Sequence, residues 1–289
     1  MRLDFKILWI DDEKDSVDTQ AELIDSFLKD QGFTLEKIWA KDKETLDKLL
    51  SETKDFDFIF VDNKFNDKDL GLKFIETLRE NNVYADILFF SSTTSAAVLK
   101  EEATKRSIQS IYIYTKTDIN DDDSLFTNII QYRINKEMDL YSLRGIAMSE
   151  VAEFDSKIWD MIKSKENSLK SSLASAVKKF RSDKYDEYKD KTEEKIWNDI
   201  NKNGTAVFDS FHMHKFLCTN FLNNPEISSS SEAEKCKNDY HEDILKKRNA
   251  LAHCRDQMTT EEQLEFRKKL IEFRKIFNTL YEIFTKNIN

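Results

Sequence analysis

Proline, glycine and long apolar runs are all scarce in this sequence. Its 289 residues contain one proline and four glycines, and the longest apolar runs span four residues. A helix that crosses a bilayer needs about 20 apolar residues, so we expect no membrane partner. Met1–Asp4 leads directly into an apolar strand pattern, without the features of a signal peptide. These absences predict a cytoplasmic protein.

Cysteine is also rare. The sequence contains Cys218, Cys236 and Cys254, and no two of them have the close CxxC spacing that metal and redox motifs use. An odd number of widely spaced cysteines is typical of free thiols in a reducing compartment. We therefore expect free thiols and no zinc site.

An excess of positive charge is missing from both halves of the chain. Residues 1–135 hold 28 Asp and Glu against 18 Lys and Arg, which accounts for the whole net charge of −10. Residues 136–289 hold 27 of each sign and are neutral. Since tight nucleic-acid binders normally present a basic surface, the neutral second half counts modestly against RNA binding.

Residues 1–120 alternate apolar strand patterns with amphipathic helix patterns. Four apolar runs, rich in aromatic and β-branched residues, fit strands buried in a parallel sheet: Ile7–Ile10, Phe58–Val61, Ile87–Phe90 and Ile111–Thr115. A fifth strand is predicted over roughly Thr34–Ala40. Helix patterns separate these runs, and the segment from Asn63 to Asp69 is polar and predicted to be a loop. The alternation predicts an α/β domain with a doubly wound, parallel, five-stranded sheet.

Strand patterns disappear after Asp123, and apolar stripes at helical spacing replace them. Capping-box pairs are predicted to open two of the helices, Ser231 with Glu234 and Thr259 with Glu262. The second half of the chain is therefore predicted to be an all-α helical bundle.

The domain boundary is marked by the change of charge and periodicity between Asp123 and Gly145. We assign residues 1–140 to the α/β domain and residues 141–289 to the helical domain. Gly145 is a candidate junction, and a continuous helical connector is equally compatible with the sequence.

Polar and charged side chains stand at the ends of four predicted strands. Asp11 and Asp12 follow the first, Asp62 ends the third, Ser91 follows the fourth and Lys116 follows the fifth. In open parallel sheets, ligands bind at the carboxyl edge of the strands. Converging carboxylates repel unless a divalent cation neutralises them, and that cation also binds phosphate oxygens. Because Lys116 and Ser91 add a positive charge and a hydroxyl donor, Asp62 is a candidate nucleophile for an acyl phosphate. The alternative is a set of solvated loop carboxylates.

This pattern resembles the receiver domain of two-component response regulators, over residues 1 to about 135. Leu70–Leu72 also resembles the family's loop into its third helix. The resemblance implies a flavodoxin-like fold, phosphorylation of Asp62 to phosphoaspartate by a cognate histidine kinase, and a phosphate switch at Ser91 and Lys116. It also implies Mg²⁺ as a cofactor, held by Asp11 or Asp12, by Asp62 and by the backbone carbonyl of Lys64.

Two positions depart from the family pattern. Thr117 follows Lys116, where receivers usually have proline, and Ile113 occupies the position of the family's switch aromatic, between Tyr112 and Tyr114. Phosphorylation is therefore expected, whereas the conformational switch that follows it is expected to differ in detail from that of the family.

The helical half contains one motif whose residue types could carry out catalysis, KKRNALAH at Lys246–His253. Asn249 and His253 are four residues apart and share a helix face, while Arg248 borders the same cleft from the side. Histidine titrates near neutral pH and can move a proton in either direction. An arginine can stabilise the charge of a pentavalent phosphate. These groups suffice for metal-independent attack of an RNA 2′-hydroxyl on its own phosphate.

The motif resembles the Arg-x4-His signature of the HEPN superfamily of helical ribonucleases. The resemblance implies an endoribonuclease with Arg248, Asn249 and His253 as catalytic residues, RNA as substrate, and a homodimer that brings two copies of the motif to one cleft. Two alternatives stay open. In one, Arg248 pairs with Glu242 or Asp243 while His253 packs at a helix end. In the other, the helical domain is a non-catalytic module for protein interaction and dimerisation.

The remaining histidines are less informative. His212 and His214 lie on one predicted helix, where a surface position is a commoner explanation than RNA contact. His241 precedes His253 by twelve residues, too far along one helix to join it. Taken together, the patterns predict a cytoplasmic response regulator in which phosphorylation of Asp62 promotes or realigns a dimer and thereby controls a ribonuclease.

Overall fold

The computed structural model describes residues 3–65, 68–121, 124–135, 138, 140–182, 186–203, 206–222, 227, 230–253 and 258–286. The contacts of the chain divide it into two compact units, Met1–Asp139 and Leu140–Asn289, which we call the sheet unit and the helical unit. Among the described residues, no helix is long and apolar enough to cross a membrane.

The sheet unit contains seven strands within its described residues: β1 (Asp4–Ile10), β2 (Thr34–Ala40), β3 (Phe58–Asp62), β4 (Lys64–Phe65), β5 (Lys68–Asp69), β6 (Asp86–Ser91) and β7 (Ile111–Thr115). Five of them form one sheet in the order β2-β1-β3-β6-β7, and every neighbouring pair is parallel. The five predicted strands and their parallel pairing are thus confirmed. The prediction of a loop after β3 is wrong, because β4 and β5 pair there in antiparallel orientation.

Six helices accompany these strands in the described part of the sheet unit: α1 (Lys14–Asp30), α2 (Lys43–Glu52), α3 (Gly71–Glu80), α4 (Ala96–Lys105), α5 (Lys116–Asp121) and α6 (Ser124–Asn135). The side chains of Asp42 and Ser95 cap α2 and α4 by accepting hydrogen bonds from backbone N–H groups of the first turn. Apolar side chains of α1 and α6 pack on one face of the sheet, and those of α2, α3 and α4 pack on the other.

Aromatic side chains fill much of the core on both faces of the sheet. Trp9 and Phe60 stack with ring centroids 5.3 Å apart on the side of α1 and α6, and Phe126 of α6 meets Phe60 edge-on. Ile59 and Phe89 face α2, α3 and α4. Each fully buried large apolar side chain contributes about 2 kcal/mol, and a slip of one residue would turn all of them to the wrong face. The core therefore fixes the register of the strands, and with it the positions of the residues at their ends.

Every regular element in the described part of the helical unit is a helix: α7 (Leu140–Ser164), α8 (Glu166–Ser182), a 3₁₀ turn (Asp186–Tyr188), α9 (Glu193–Asn203), α10 (Ser210–Asn220), α11 (Ser231–Asn238), a π-helical segment (His241–Lys246), α12 (Lys247–Ala252) and α13 (Thr260–Lys286). A helical second half is thus confirmed. Gly145 lies inside α7 on its exposed side, and the contacts divide the chain before α7, between Asp139 and Leu140.

The long helices α7 and α13 pack against each other and form the centre of the helical unit. Phe154 and Phe277 stack there with their ring centroids 4.7 Å apart. Beside them, the buried carboxylate of Glu150 accepts two hydrogen bonds from the Arg274 guanidinium, at 2.9 and 2.5 Å. Such a two-point contact satisfies the charge of a buried carboxylate.

The two predicted capping boxes have different outcomes. At the start of α13, Thr259 N–H donates to the Glu262 carboxylate at 2.8 Å, and Glu262 N–H donates to Thr259 Oγ1 at 3.2 Å, so this box is confirmed. At the start of α11, the cap is Ser230, whose side chain accepts from Ala233 N–H. The prediction of Ser231 is wrong by one residue, because either of two adjacent serines offers the same hydroxyl.

Candidate functional site

The strand register brings the predicted residues to one edge of the sheet. Ile10 pairs with both Ala40 and Val61, Asp62 pairs with Phe90, and Ser91 pairs with Thr115. The ends of β1, β3, β6 and β7 are therefore level, which places Asp11, Asp62, Ser91 and Lys116 at the carboxyl edge of the sheet.

Asp62 is buried and forms an ion pair at the end of β3. Its Oδ2 lies 2.9 Å from Lys116 Nζ, and its Oδ1 accepts a hydrogen bond from Lys64 N–H at 3.0 Å. Burial raises the pKa of Asp62. The Lys116 ammonium and the Lys64 N–H lower it, but their combined effect is smaller, so the pKa is raised overall. Burial also lowers the pKa of Lys116, but the hydrogen bond and charge of Asp62 outweigh this and raise it overall. The ammonium therefore stays charged beside the carboxyl group.

Asp11 is the second buried carboxyl group at this edge, and its charge is not balanced. Its Oδ1 accepts from Glu13 N–H at 2.8 Å, whereas its Oδ2 is buried without a hydrogen-bond partner among the described residues. The pKa of Asp11 is raised to about 7, chiefly by burial and also by the nearby Asp62 charge, while the Glu13 N–H and the Lys116 charge oppose the rise. A carboxyl group in this state gains from a cation at its free oxygen.

The predicted Mg²⁺ ligands are only partly assembled in the described residues. Asp11 and Asp62 interact electrostatically across the sheet edge, while Asp12 is half-buried. No three His, Cys, Asp or Glu side chains of the described chain form a group that could hold a metal ion. The donor set is therefore two carboxylates, to which the predicted Lys64 carbonyl would add a third oxygen. The Mg²⁺ site stays a prediction.

Ser91 and Gly71 shape the backbone around Asp62. Ser91 is fully buried, and its Oγ accepts hydrogen bonds from Thr93 N–H at 3.2 Å and Thr94 N–H at 3.1 Å. A Cβ on Gly71 would lie 2.5 Å from Phe89 Cε2 and 2.8 Å from the Asp62 carbonyl oxygen. Only glycine therefore lets α3 begin this close to the end of β3.

Two further residues contribute to this edge and were not predicted. Glu13 Oε2 lies 3.3 Å from Lys116 Nζ, so the lysine has a second carboxylate beside it. Asn63 is buried, its side chain donates to Asp69 at 2.9 Å, and its carbonyl accepts from Leu70 and Gly71 N–H. Adjacency to Asp12 and Asp62 in the sequence was the available signal for both residues.

In the helical unit, Arg248 contacts a buried polar cluster that joins three helices. Arg248 Nη2 donates to Ser210 Oγ at 2.9 Å, and Ser210 Oγ donates to Asp155 Oδ2 at 2.6 Å. Arg248 belongs to α12, Ser210 to α10 and Asp155 to α7. The alternative in which Arg248 pairs with Glu242 or Asp243 is not observed, because Glu242 pairs with Lys246 and Asp243 with Lys269.

This cluster is incompletely satisfied within the described residues. Asp155 Oδ1, Arg248 Nε and the Tyr240 hydroxyl are buried without hydrogen-bond partners there. Burial raises the pKa of Asp155 to about 6, although Ser210 and the Arg248 charge lower it. Burial strongly raises the pKa of Tyr240. The Asp155 charge raises it further, and the Arg248 charge lowers it. Ser210, Asp155 and Tyr240 were not predicted as site residues, and no local sequence pattern marks them.

The other two residues of the predicted motif lie at the surface. His253 is exposed and ends α12, where its N–H donates to the Asn249 carbonyl at 3.2 Å, and Asn249 is exposed as well. Within the described part of the chain, no hydrogen bond joins Arg248 to His253. Arg248 lies within α12 and reaches inward, whereas His253 follows the last residue of α12 and lies outward.

The other histidines and cysteines that the structure describes have structural contacts. The prediction of a surface position for His214 is wrong, since it is buried and its Nε2 lies 2.8 Å from the Cys236 carbonyl oxygen. His212 is half-buried and contacts its helix cap, Asp209, at 2.8 Å. Cys218 and Cys236 are free thiols, as predicted, and Cys254 lies outside the described residues.

No family model matches this sequence, and a search of curated proteins gives no match either. The resemblances to receiver domains and to HEPN ribonucleases therefore rest on the residues and contacts described above.

Proposed function

We propose that this protein is a cytoplasmic, dimeric response regulator in which Asp62 is phosphorylated by a histidine kinase and controls a metal-independent HEPN-type endoribonuclease in the helical unit. The observation that carries the proposal is the buried Asp62 carboxylate, paired with Lys116 at 2.9 Å beside the half-satisfied Asp11.

The fold supports a receiver role for the sheet unit. When only the five strands of the main sheet are numbered in chain order, their order is 2-1-3-4-5, which is typical of flavodoxin-like sheets. The switch point of such a sheet lies between its first and third strands, here β1 and β3. Asp11 and Asp62 stand at the ends of these two strands, where this class of fold binds its ligands.

The proposed phosphotransfer is a single displacement at phosphorus. A carboxylate oxygen of Asp62 attacks the phosphorus of a phosphohistidine, the P–O bond forms, and the P–N bond to the histidine breaks. Lys116 Nζ and the Ser91 hydroxyl hydrogen then contact the new phosphoryl oxygens. Mg²⁺, held by Asp11 or Asp12, Asp62 and the Lys64 carbonyl, would supply charge neutralisation, and the unpaired Asp11 oxygen fits this cation.

Acetyl phosphate, which donates a phosphoryl group without a kinase, tests this part of the proposal. Incubation with Mg²⁺ should add one phosphoryl group to the full-length protein, detected by intact mass. The Asp62→Ala protein should gain none, while Asp47→Ala, which removes an exposed carboxylate of α2, should behave as the parent. Stable labelling of the Asp62→Ala protein would contradict the assignment.

The proposed RNA cleavage uses the 2′-hydroxyl of the substrate as nucleophile. His253 removes the 2′-hydroxyl proton and returns a proton to the leaving 5′-oxygen, so that a 2′,3′-cyclic phosphate forms. Arg248 stabilises the phosphorane, and Ser210 and Asp155 hold its guanidinium in place. A second copy of the chain would bring another Arg248–His253 pair to the same cleft.

A non-catalytic interaction module is the second candidate for the helical unit. The observation that favours it is the orientation of Arg248, which reaches inward to Ser210 while His253 lies at the surface. RNA that stays intact with the purified dimer in every phosphorylation state would select this alternative.

A further inference from the structure

Glu13 connects two residues of the sheet edge that lie far apart in the sequence. It is the N-cap residue of α1, but its side chain accepts no capping hydrogen bond from that helix. Its backbone N–H donates to Asp11 Oδ1 at 2.8 Å, and its carboxylate accepts from Lys116, which lies 103 residues further along the chain. The backbone of Glu13 is therefore anchored at Asp11, and its side chain is directed to Lys116 rather than to its own helix.

The ammonium of Lys116 has two carboxylates within ion-pair distance. Asp62 Oδ2 lies 2.9 Å from Lys116 Nζ, and Glu13 Oε2 lies 3.3 Å from it. The two carboxylates differ in exposure, since 4% of the Asp62 side chain but 68% of the Glu13 side chain is open to solvent. Water and salt therefore weaken the pair with Glu13 more than the pair with Asp62.

The negative charge of Glu13 also acts on the two buried carboxyl groups of this edge. Burial is the main cause of the raised pKa values of Asp11 and Asp62, and the Glu13 charge adds to both rises. A negative charge that opposes the ionised form of a carboxyl group also opposes an anion at the same place. An anion that approaches Asp62 therefore meets the Glu13 charge and an ammonium that Glu13 already contacts.

We infer that Glu13 restrains the phosphorylation of Asp62, because its carboxylate competes with the phosphoryl group for the Lys116 ammonium. The inference rests on the proposed phosphorylation of Asp62 and adds a residue that sets how readily it occurs. In the proposed phosphorylated state, Lys116 contacts phosphoryl oxygens, and the phosphoryl group carries about two negative charges near neutral pH. Glu13 opposes this state in two ways, by retaining the ammonium and by repelling the phosphoryl oxygens.

Binding of Mg²⁺ is the alternative role for a carboxylate at this position. The two roles predict opposite effects when the Glu13 charge is removed. Loss of a metal ligand weakens the binding of a phosphoryl group that shares the metal. Loss of a competitor for Lys116 strengthens it. The direction of the change therefore separates the two roles.

The test is the binding of beryllofluoride to full-length Glu13→Gln protein at saturating Mg²⁺, followed by tryptophan fluorescence. Trp39 is placed to report on this edge, since its indole N–H donates to the Asp11 carbonyl at 2.7 Å. The substitution removes the charge and keeps the size of the side chain. It should strengthen beryllofluoride binding about threefold, the scale of an exposed ion pair. The initial rate of labelling by acetyl phosphate, measured by intact mass, should rise by a similar factor.

High salt and a second glutamate provide the controls. At 1 M KCl the gain should shrink towards none, because charges are then screened beyond about 3 Å. Glu44→Gln changes an exposed glutamate in the first turn of α2 by the same charge, and should bind beryllofluoride and be labelled as the parent is. Circular dichroism confirms that each variant is folded.

A Glu13→Gln protein with unchanged or weaker beryllofluoride binding and slower labelling would overturn the inference, and weaker binding would assign Glu13 to the metal instead. A gain that persists at 1 M KCl, or that Glu44→Gln reproduces, would also overturn it, because competition for Lys116 explains neither. A parent protein that neither gains a phosphoryl group nor responds to beryllofluoride would contradict the proposed phosphorylation itself, and the inference with it.

Discussion

Asp62 and Asp155 are buried carboxyl groups whose partners differ in charge. Asp62 faces the ammonium of Lys116 at 2.9 Å, whereas the direct partner of Asp155 is the hydroxyl of Ser210. The Arg248 charge reaches Asp155 from behind that hydroxyl and lowers its pKa less than burial raises it. Asp62 therefore has a charged partner, while Asp155 carries an unrelieved cost of burial.

The pH dependence of stability should reveal this cost. Burial raises the pKa of Asp155 to about 6, from about 3.9 in an unfolded chain. The folded protein therefore holds a proton that the unfolded chain releases, and stability falls as the pH rises from about 4 to about 6. Asp155→Asn removes this titration and keeps an acceptor for Ser210. Relative to the parent, its free energy of unfolding should rise by on the order of 2–3 kcal/mol between pH 4 and pH 7.

Urea unfolding of the full-length proteins at both pH values measures this difference. Asp160→Asn changes an exposed carboxylate of the same helix and is the matched control, for which no pH-dependent difference is expected. An Asp155→Asn protein whose relative stability is the same at both pH values would show that folding does not raise the pKa of Asp155.

In the proposed cleavage reaction, Arg248 and His253 act on the transition state more than on bound RNA. Arg248→Ala and His253→Ala should each lower the cleavage rate by about 100-fold or more and leave RNA affinity nearly unchanged. His241→Ala, on the neighbouring π-helical segment, is the control and should retain the parent rate. Gel analysis of end-labelled RNA measures the rate. Cleavage that survives both substitutions, or products with a 3′-hydroxyl, would remove the ribonuclease assignment.

Among the helices, Gly71 and Gly145 differ in how much space surrounds their Cα atoms. Gly71 begins α3 where a Cβ would lie 2.7 Å from Asn63 Cα and 2.8 Å from the Asp62 carbonyl oxygen, and backbone cannot rotate away. Gly145 lies within α7, and a Cβ there would meet nothing within 4 Å. The first glycine is required by a close approach, and the second only weakens a helix.

The same substitution at these two positions should therefore have opposite effects. Gly71→Ala should lower the free energy of unfolding by about 1–3 kcal/mol through overpacking, and should slow phosphorylation of the adjacent Asp62. Gly145→Ala should raise it by about 0.5–1 kcal/mol through helix propensity. Thermal unfolding of both variants measures these changes. A neutral Gly71→Ala substitution would mean that α3 can move away from the end of β3.

Four strands of the main sheet, β1, β3, β6 and β7, were predictable because each contains a short apolar run closed by a charge or a hydroxyl. The short β4–β5 pair was not, because a polar segment such as Lys64–Asp69 carries no burial pattern. The π-helical segment His241–Lys246 was also not predictable, since it differs from an α-helix by hydrogen-bond spacing rather than by residue type. Local composition therefore sets which segments are elements, and packing sets their finer geometry.

At the scale of the whole molecule, the two candidate sites differ in how far the sequence could predict them. The sheet edge was predictable because parallel strands end together, so four strand ends locate Asp11, Asp62, Ser91 and Lys116. The Arg248 cluster was not, because Ser210 lies 38 residues from Arg248 and Asp155 lies 55 residues from Ser210. Only the packing of α7, α10 and α12 brings these side chains together.

The proposed control of the ribonuclease by Asp62 is tested by the rate of RNA cleavage by the full-length protein with and without beryllofluoride, which mimics a phosphoryl group on Asp62. We expect cleavage to 2′,3′-cyclic phosphate ends at a rate that beryllofluoride and Mg²⁺ change severalfold. In the Asp62→Ala protein, the rate should no longer respond to beryllofluoride. A rate that is the same in both states, or RNA that stays intact in both, would contradict the claim that phosphorylation of Asp62 controls a ribonuclease.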